Sequence, residues 1–127
     1  MIVLDASIMI AALDDADAHF ATAKRVLVEH SAQRLVAHRL TLAETLVQAV
    51  RAGRGSAMVA ALAAVGVETV DVLDDPLELA ELWAESGLKL PDACVLLVAR
   101  RSGAALATFD QRLATAARAA GVAVVTS

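Results

Sequence analysis

Residues 1–7 read MIVLDAS, and this stretch decides how the rest of the chain is interpreted. Its apolar residues, two of them β-branched, predict a short buried strand over residues 2–5. Asp5 stands where that strand leaves the sheet. Its carboxylate either caps the following helix or reaches a crevice at the strand's carboxyl end, where open α/β sheets bind ligands. Residues further along the chain indicate which of these two roles Asp5 has.

Beyond residue 7, short β-rich runs alternate with longer helical patterns. The predicted strands cover residues 2–5, 34–37, 67–72, 104–107 and 122–125. The predicted helices cover residues 7–13, 16–30, 40–52, 56–65, 76–86, 91–102 and 111–120. Glycines such as Gly87 and Gly103 follow helical patterns, as C-terminal caps do. The alternation indicates an α/β fold with parallel strands and helices on both faces of the sheet.

Size and composition predict one domain over residues 1–127 and no membrane segment. The chain is 58% apolar, with a mean hydropathy of +0.63, but its longest apolar run is shorter than the roughly 18 residues that a membrane span needs. Asp5 interrupts the first apolar segment and no basic region precedes it, which argues against a secretory signal. The single cysteine, Cys94, fits a reducing compartment, so we expect a cytoplasmic protein.

One acid stands on the predicted apolar face of a helix and another at the edge of such a face. Asp92 begins the helix whose residues Val95 and Leu96 would face the core, so its side chain would lie above that stripe. Taken alone, Asp92 could also be a first-turn acid that the helix dipole favours. Glu44 is predicted at the edge of an apolar arc containing Leu40 and Val47, where a solvated glutamate is the alternative.

A third acid, Asp110, follows the predicted strand 104–107 and could cap the next helix. Because the carboxyl ends of parallel strands share one edge of a sheet, four acids can gather there. They are Asp5, Glu44, Asp92 and Asp110. Four neighbouring carboxylates repel one another and raise their pKa values unless a cation lies among them. Such oxygen ligands suit Mg²⁺ or Mn²⁺, and the hydroxyls of Ser7 and Thr108 could orient the carboxylates or hold metal-bound water.

With these residues in place, the sequence resembles PIN-domain ribonucleases, specifically toxins of the VapC kind. The similar segments are Val-Leu-Asp-Ala-Ser at 3–7, Leu-Ala-Glu-Thr-Leu at 42–46, Pro-Asp-Ala at 91–93 and Thr-Phe-Asp-Gln-Arg-Leu at 108–113. The resemblance implies an α/β/α sandwich with a central, mostly parallel sheet of four to five strands in the order 3-2-1-4-5. It assigns the acidic ligands to Asp5, Glu44, Asp92 and Asp110. Gln111 and Arg112 stand where some members carry a further acid.

The resemblance also implies an activity and partners. We expect an endoribonuclease that uses one or two Mg²⁺ or Mn²⁺ ions, leaves 5′-phosphate and 3′-hydroxyl products, is inhibited by a cognate antitoxin and forms a homodimer. The alternative is a catalytically inactive PIN-like module that binds protein or RNA. A receiver domain would need a late lysine, but none follows Lys89, and an aspartate phosphatase would need an acid where Ser7 stands.

The formal net charge of −4 does not exclude an RNA partner. When the four site acids are set apart from the fifteen in the chain, eleven acids remain against eleven Lys and Arg residues. Arginines can bind phosphates with two hydrogen bonds. The candidates are Arg39, Arg51, Arg54, Arg100, Arg101 and Arg112. Because aromatic residues make up only 2% of the chain, we expect recognition to depend on the RNA backbone and shape more than on base stacking.

Overall fold

A parallel four-stranded sheet forms the centre of the computed structural model, which describes residues 1–70 and 75–126. The strands are β1 (Ile2–Leu4), β2 (Leu35–His38), β3 (Val67–Val70) and β4 (Ala105–Ala107). Their order is β3-β2-β1-β4, with Val3 of β1 paired with Val36 on one side and Leu106 on the other. The opening stretch therefore supplies a central strand. The last two residues of the predicted strand 67–72 lie outside the described residues.

Seven helices in the described ranges match the seven predicted ones. They are α1 (Ala6–Ala12), α2 (Phe20–Glu29), α3 (Arg39–Arg51), α4 (Gly55–Ala64), α5 (Pro76–Ser86), α6 (Leu90–Ser102) and α7 (Gln111–Ala119). The largest difference is at α2, which was expected from residue 16. Asp14 and Asp17 accept hydrogen bonds from the backbone N–H groups of Ala16 (3.0 Å) and His19 (2.7 Å). These local turns engage backbone donors before the helix begins.

The fifth predicted strand, 122–125, is an isolated parallel bridge between Val124 and Leu106. Leu106 donates its N–H to Ala123 (2.8 Å) and accepts from Val125 (2.9 Å), so the segment lies beside β4, where the predicted order put it. One residue further, the Thr126 hydroxyl accepts the Thr108 N–H at 3.0 Å. This side-chain bond takes the donor that a longer ladder would use, and the sheet of the described residues keeps four strands.

Apolar side chains cover the sheet on both faces. Ile2 and Leu4 point into one core cluster, whereas Val3 points into the other, as alternation along a strand requires. Helix α6 packs on the second face, and all of its residues from Ala93 to Ala99 are buried. The carboxyl ends of β1 and β4 are thereby held in fixed positions. Within the described ranges, no helix is both long and apolar enough to cross a membrane.

The buried face of α3 differs from the predicted one. Leu40 and Val47 were expected to face the core, but they are 39% and 41% exposed. The buried residues are instead Thr41, Thr45 and Ala49. Thr45 donates its hydroxyl hydrogen to the Thr41 carbonyl oxygen at 2.9 Å. A threonine that bonds within its own helix can enter the core at low cost, which apolar periodicity does not register.

Candidate active site

Asp5 lies at the carboxyl end of β1 and is only 4% exposed. It occupies the N-cap position of α1, but its side chain makes no capping hydrogen bond. Its Oδ2 atom instead accepts hydrogen bonds from the hydroxyls of Ser7 and Thr108, both at 2.8 Å. Among the described residues, Oδ1 accepts none. The structure thus decides against a capping role and leaves one carboxylate oxygen available to a ligand.

The two hydroxyls that hold Asp5 are themselves fixed by backbone groups. Ser7 Oγ accepts the Phe109 N–H and Thr108 Oγ1 accepts the Asp110 N–H, each at 3.0 Å. The Asp5 N–H in turn donates to the carbonyl oxygen of Ala107 at 3.0 Å. Each hydroxyl therefore receives a backbone donor and directs its own hydrogen at Asp5. This network joins the ends of β1 and β4 and orients the carboxylate.

Asp92 lies in the first turn of α6 and is half-buried. Burial raises the pKa of its carboxyl, and the negative charges of Asp5 and Asp110 raise it further. Lys89 and Arg112 act in the opposite direction and lower this pKa without cancelling the rise. Asp92 is therefore partly withdrawn from water and lies near two other acids, which together disfavour its charged form.

Glu44 approaches the same place from α3. Its residue is exposed by area, yet surrounding atoms remove enough water from the carboxyl that burial is the main cause of its raised pKa. The charges of Asp92 and Asp5 raise this pKa further, and Lys89 lowers it. Glu44 lies three residues after the buried Thr41, so it borders the true buried face of the helix. Glu44 therefore lies at the edge of the buried face of α3, as predicted, although that face is formed by other residues than the predicted ones.

Asp110 is the N-cap of α7. Its Oδ1 accepts the N–H groups of Arg112 at 2.9 Å and Leu113 at 3.3 Å. This is the capping alternative that the sequence left open. The cap nevertheless places its negative charge close enough to raise the pKa of Asp92. Asp110 therefore combines a local structural role with a position at the shared sheet edge.

The donor set of this edge suits a hard divalent cation. It consists of carboxylate oxygens, the ligands that Mg²⁺ and Mn²⁺ prefer, and both burial and mutual repulsion of the acids raise the pKa values of Glu44 and Asp92. As they stand, no three His, Cys, Asp or Glu side chains in residues 1–70 and 75–126 are close enough to hold one ion together. An ion held directly by three of these carboxylates would thus require Glu44 and Asp92 to turn toward the fixed Asp5.

Some of the arginines predicted to bind RNA lie near the four acids in the structure, and the others lie away from them. Arg112 lies next to the acids, since its charge acts on Asp92. Arg39 begins α3 directly after β2, at the same edge of the sheet. Arg51 ends that thirteen-residue helix, roughly 18 Å further along its axis, and Arg54 precedes α4. The last two therefore lie away from the acids.

Arg100 and Arg101 also lie away from the acids, in the last turn of α6. Both form ion pairs with Glu78 of α5, at 3.4 Å and 2.7 Å respectively. These ion pairs join α5 to α6.

Sequence reasoning missed two residues that contribute to the site. Lys89 lowers the pKa of both Glu44 and Asp92; its position three residues before an apolar-face acid was the available signal. Thr126 holds the Thr108 backbone through its hydroxyl, both as acceptor and as donor. No local pattern marks Thr126, because its partner lies 18 residues away in sequence.

Comparisons with known proteins agree with this fold. Residues 2–119 match the family model of the PIN domain. The structure is similar to VapC20 of Mycobacterium tuberculosis, a toxin that cleaves the sarcin–ricin loop, with a TM-score of 0.74, 22% identity and full coverage of both chains. It is also similar to PAE2754 of Pyrobaculum aerophilum, with a TM-score of 0.64 and 26% identity over 98% of this chain and 90% of the other. No curated protein matches the sequence. Because the family match covers most of the residues that form the sheet, its helices and all four acids, the chain belongs to the PIN domain family.

Proposed function

We propose that this protein is an endoribonuclease that depends on one or two Mg²⁺ or Mn²⁺ ions. The observation that carries the proposal is a buried Asp5 fixed by two hydroxyls near Glu44 and Asp92. Burial is the main cause of the raised pKa values of Glu44 and Asp92, and the charge of Asp5 contributes to both. Membership of the PIN domain family supports a nuclease. Acids arranged in this way lower the stability of the protein unless a cation joins them, which is the expected cost of a metal site.

Each residue has a specific role in the proposed reaction. Asp5, Glu44 and Asp92 would hold the metal, with Asp110 bound to it directly or through water. The metal would supply an activated water nucleophile and stabilise the leaving 3′ oxygen. Ser7 and Thr108 keep Asp5 in position. The bond between phosphorus and the 3′ oxygen would break, giving a 5′-phosphate and a 3′-hydroxyl.

Two basic residues would bind the RNA backbone at this site. Lys89 and Arg112 lie close enough to lower the pKa of Asp92, so their charges also reach a phosphate placed there. Arg112 can offer several N–H donors to phosphate oxygens, and Lys89 a single mobile charge. We propose Arg39 as a third contact, from the start of α3.

The biological role we propose is that of a toxin restrained by a cognate antitoxin in the cytoplasm. The similarity to VapC20, a toxin, supports this role. Exposed apolar side chains support association with a partner protein or a second copy of the chain: Val28 is 69% exposed, Leu77 66% and Val50 62%. Apolar surface of this kind is commonly covered in a complex, and we propose a homodimer in addition to the antitoxin complex.

Cleavage assays test the proposed function. Protein freed of any bound partner is incubated with structured RNA, including a sarcin–ricin loop hairpin, in Mg²⁺ or Mn²⁺ and in EDTA. We expect metal-dependent cleavage that Asp5→Asn abolishes and Glu81→Gln, which alters an exposed acid of α5, leaves intact. Cleavage that persists in EDTA or in folded Asp5→Asn would contradict the proposal.

The inactive binding module makes a different prediction for metal. It is favoured by the spacing of the acids, of which no three in the described ranges hold one ion without moving. Calorimetric titration with Mn²⁺ separates the two functions. Binding that Asp92→Asn removes supports the nuclease, whereas the absence of binding supports the module.

A further inference from the structure

A groove of about 720 Å³ lies between α5, α6 and α7, next to the proposed active site. Its floor is formed by Leu82, Leu88 and Leu96, which are buried beneath it. On the α7 side, Ala116 and Ala119 have small side chains that leave the groove open. A volume of this size falls within the range of about 300–1,000 Å³ that is typical of small-molecule sites.

Arg112 connects the groove to the cluster of acids. It lines the groove and also lowers the pKa of Asp92 through its charge. The same guanidinium donates to the Gly87 carbonyl oxygen at 3.4 Å, which joins α7 to the end of α5. A molecule in the groove would therefore have one end at the position where a substrate phosphate is expected.

The polar groups of the groove are suited to a nucleotide. Arg100 and Arg112 line the groove together with Glu85, and Arg100 is also paired with Glu78 of α5. Arg100 makes one long contact of 3.4 Å to Glu78, and a guanidinium has five N–H donors, so others are available. Gln111 and the Thr115 hydroxyl lie on the rim and can donate to and accept from base edges. Ser86 also lies there, but its hydroxyl already donates to the Trp83 carbonyl oxygen at 3.5 Å and accepts the Leu88 N–H at 3.3 Å.

We propose that this groove is a nucleotide subsite, which takes one unpaired base of the RNA next to the cleaved phosphate; the proposal rests on the ribonuclease function above. Leucine and alanine side chains would contact the faces of the base, as apolar side chains do in pockets for flipped bases. Unpaired bases are the usual targets of sequence-specific RNA recognition. The chain would then read a base despite its few aromatic residues.

Nucleotide titrations of the metal-free protein test the subsite directly. Backbone amide NMR spectra are recorded in EDTA with AMP, GMP, CMP or UMP, and with inorganic phosphate as the matched ligand without a base. We expect at least one nucleotide to shift Ser86, Thr115 and Ala119, and phosphate to affect only the Arg112 end. Equal shifts with phosphate, or nucleotide shifts confined to other surfaces, would overturn the proposal.

A groove-filling variant provides a second test. Ala119→Trp occupies the groove, whereas Ala84→Trp makes the same change at an exposed position of α5 outside it. In EDTA, we expect Ala119→Trp to weaken binding of a fluorescent single-stranded RNA by about tenfold and Ala84→Trp to leave it unchanged. Undiminished affinity of folded Ala119→Trp contradicts the subsite. Because neither test needs metal, a failure of cleavage alone would refute the nuclease and leave this result interpretable.

Discussion

Acidic side chains at the two ends of α6 have pKa values that are shifted in opposite directions. At its C-terminal end, Glu78 of the neighbouring helix pairs with Arg101 and Arg100, and the hydrogen bond from Arg101 is the main reason why its pKa is lowered. At the N-terminal end, burial and the charges of Asp5 and Asp110 raise the pKa of Asp92. The first acid has two arginines paired with it, whereas Lys89 and Arg112 near the second do not cancel the rise in its pKa. In the proposed function, a bound metal would supply the further positive charge.

The largest expected difference between the two ends is in catalysis. We expect Asp92→Asn to reduce metal-dependent RNA cleavage by at least about 100-fold, because it removes a proposed ligand. Glu78→Gln removes a carboxylate of the same helix pair and should retain cleavage close to the wild-type rate. Initial rates in Mn²⁺ measure both variants. Equal losses of cleavage in the two variants would contradict a specific role of Asp92 in the reaction.

A smaller effect is expected from the hydroxyls that orient Asp5. Thr108→Val removes the 2.8 Å hydrogen bond to Oδ2 and should lower Mn²⁺ affinity by about tenfold. Thr69→Val, at an exposed position of β3, is the matched control. Calorimetry gives the affinities. Unchanged metal binding in folded Thr108→Val would mean that the position of Asp5 does not depend on this bond.

The smallest effect concerns stability in the absence of metal. Since the folded protein has raised pKa values at Asp92 and Glu44, it binds protons more readily there than the unfolded chain. Its free energy of unfolding should therefore rise as the pH falls from neutral through these raised values, and level off below the ordinary values of 3.8 and 4.5. Solvent screening keeps the gain below about 1 kcal/mol.

The other end of α6 predicts the opposite sign. The lowered pKa of Glu78 gives stability that is present above its ordinary value of 4.5 and is lost at lower pH. Urea unfolding in EDTA at a series of pH values measures the two regions. Asp92→Asn should flatten the change between neutral pH and pH 4.5, and Glu78→Gln the change below it. A wild-type free energy that falls between neutral pH and pH 4.5 would contradict the account of Asp92 and Glu44.

Local patterns predicted the elements of this protein well. Helix α6 begins at Leu90 and ends before Gly103, whose φ of 62° suits a residue without a side chain. The prediction of α3 was less complete, because the helix was expected but its buried face was not. Thr41 and Thr45 are buried there, and the Thr45 hydroxyl bonds within the helix; hydrophobicity alone does not predict this.

The candidate site was also predicted only in part from the sequence. The sequence placed acids after β1 and β4 and at the start of α6, and the order of parallel strands brought these positions to one edge. It did not predict Lys89, and it did not separate Arg112 from Arg100. Those distinctions depend on which helix ends approach each other, and residues distant in sequence decide that.

By itself, the sequence predicted the α/β alternation from local periodicity, and the resemblance of its ordered motifs to the PIN-domain family implied the central position of the opening strand. Only the tertiary structure decided that Asp5 is held by Ser7 and Thr108 and does not cap its helix. The tertiary structure also limited the sheet of the described residues to four strands. The first outcome depends on the hydrogen bond from Thr108 to Asp5, across 103 residues of sequence, and the second on the bond from Thr108 to Thr126, across 18 residues. Each of these donors can take only one of several competing acceptors.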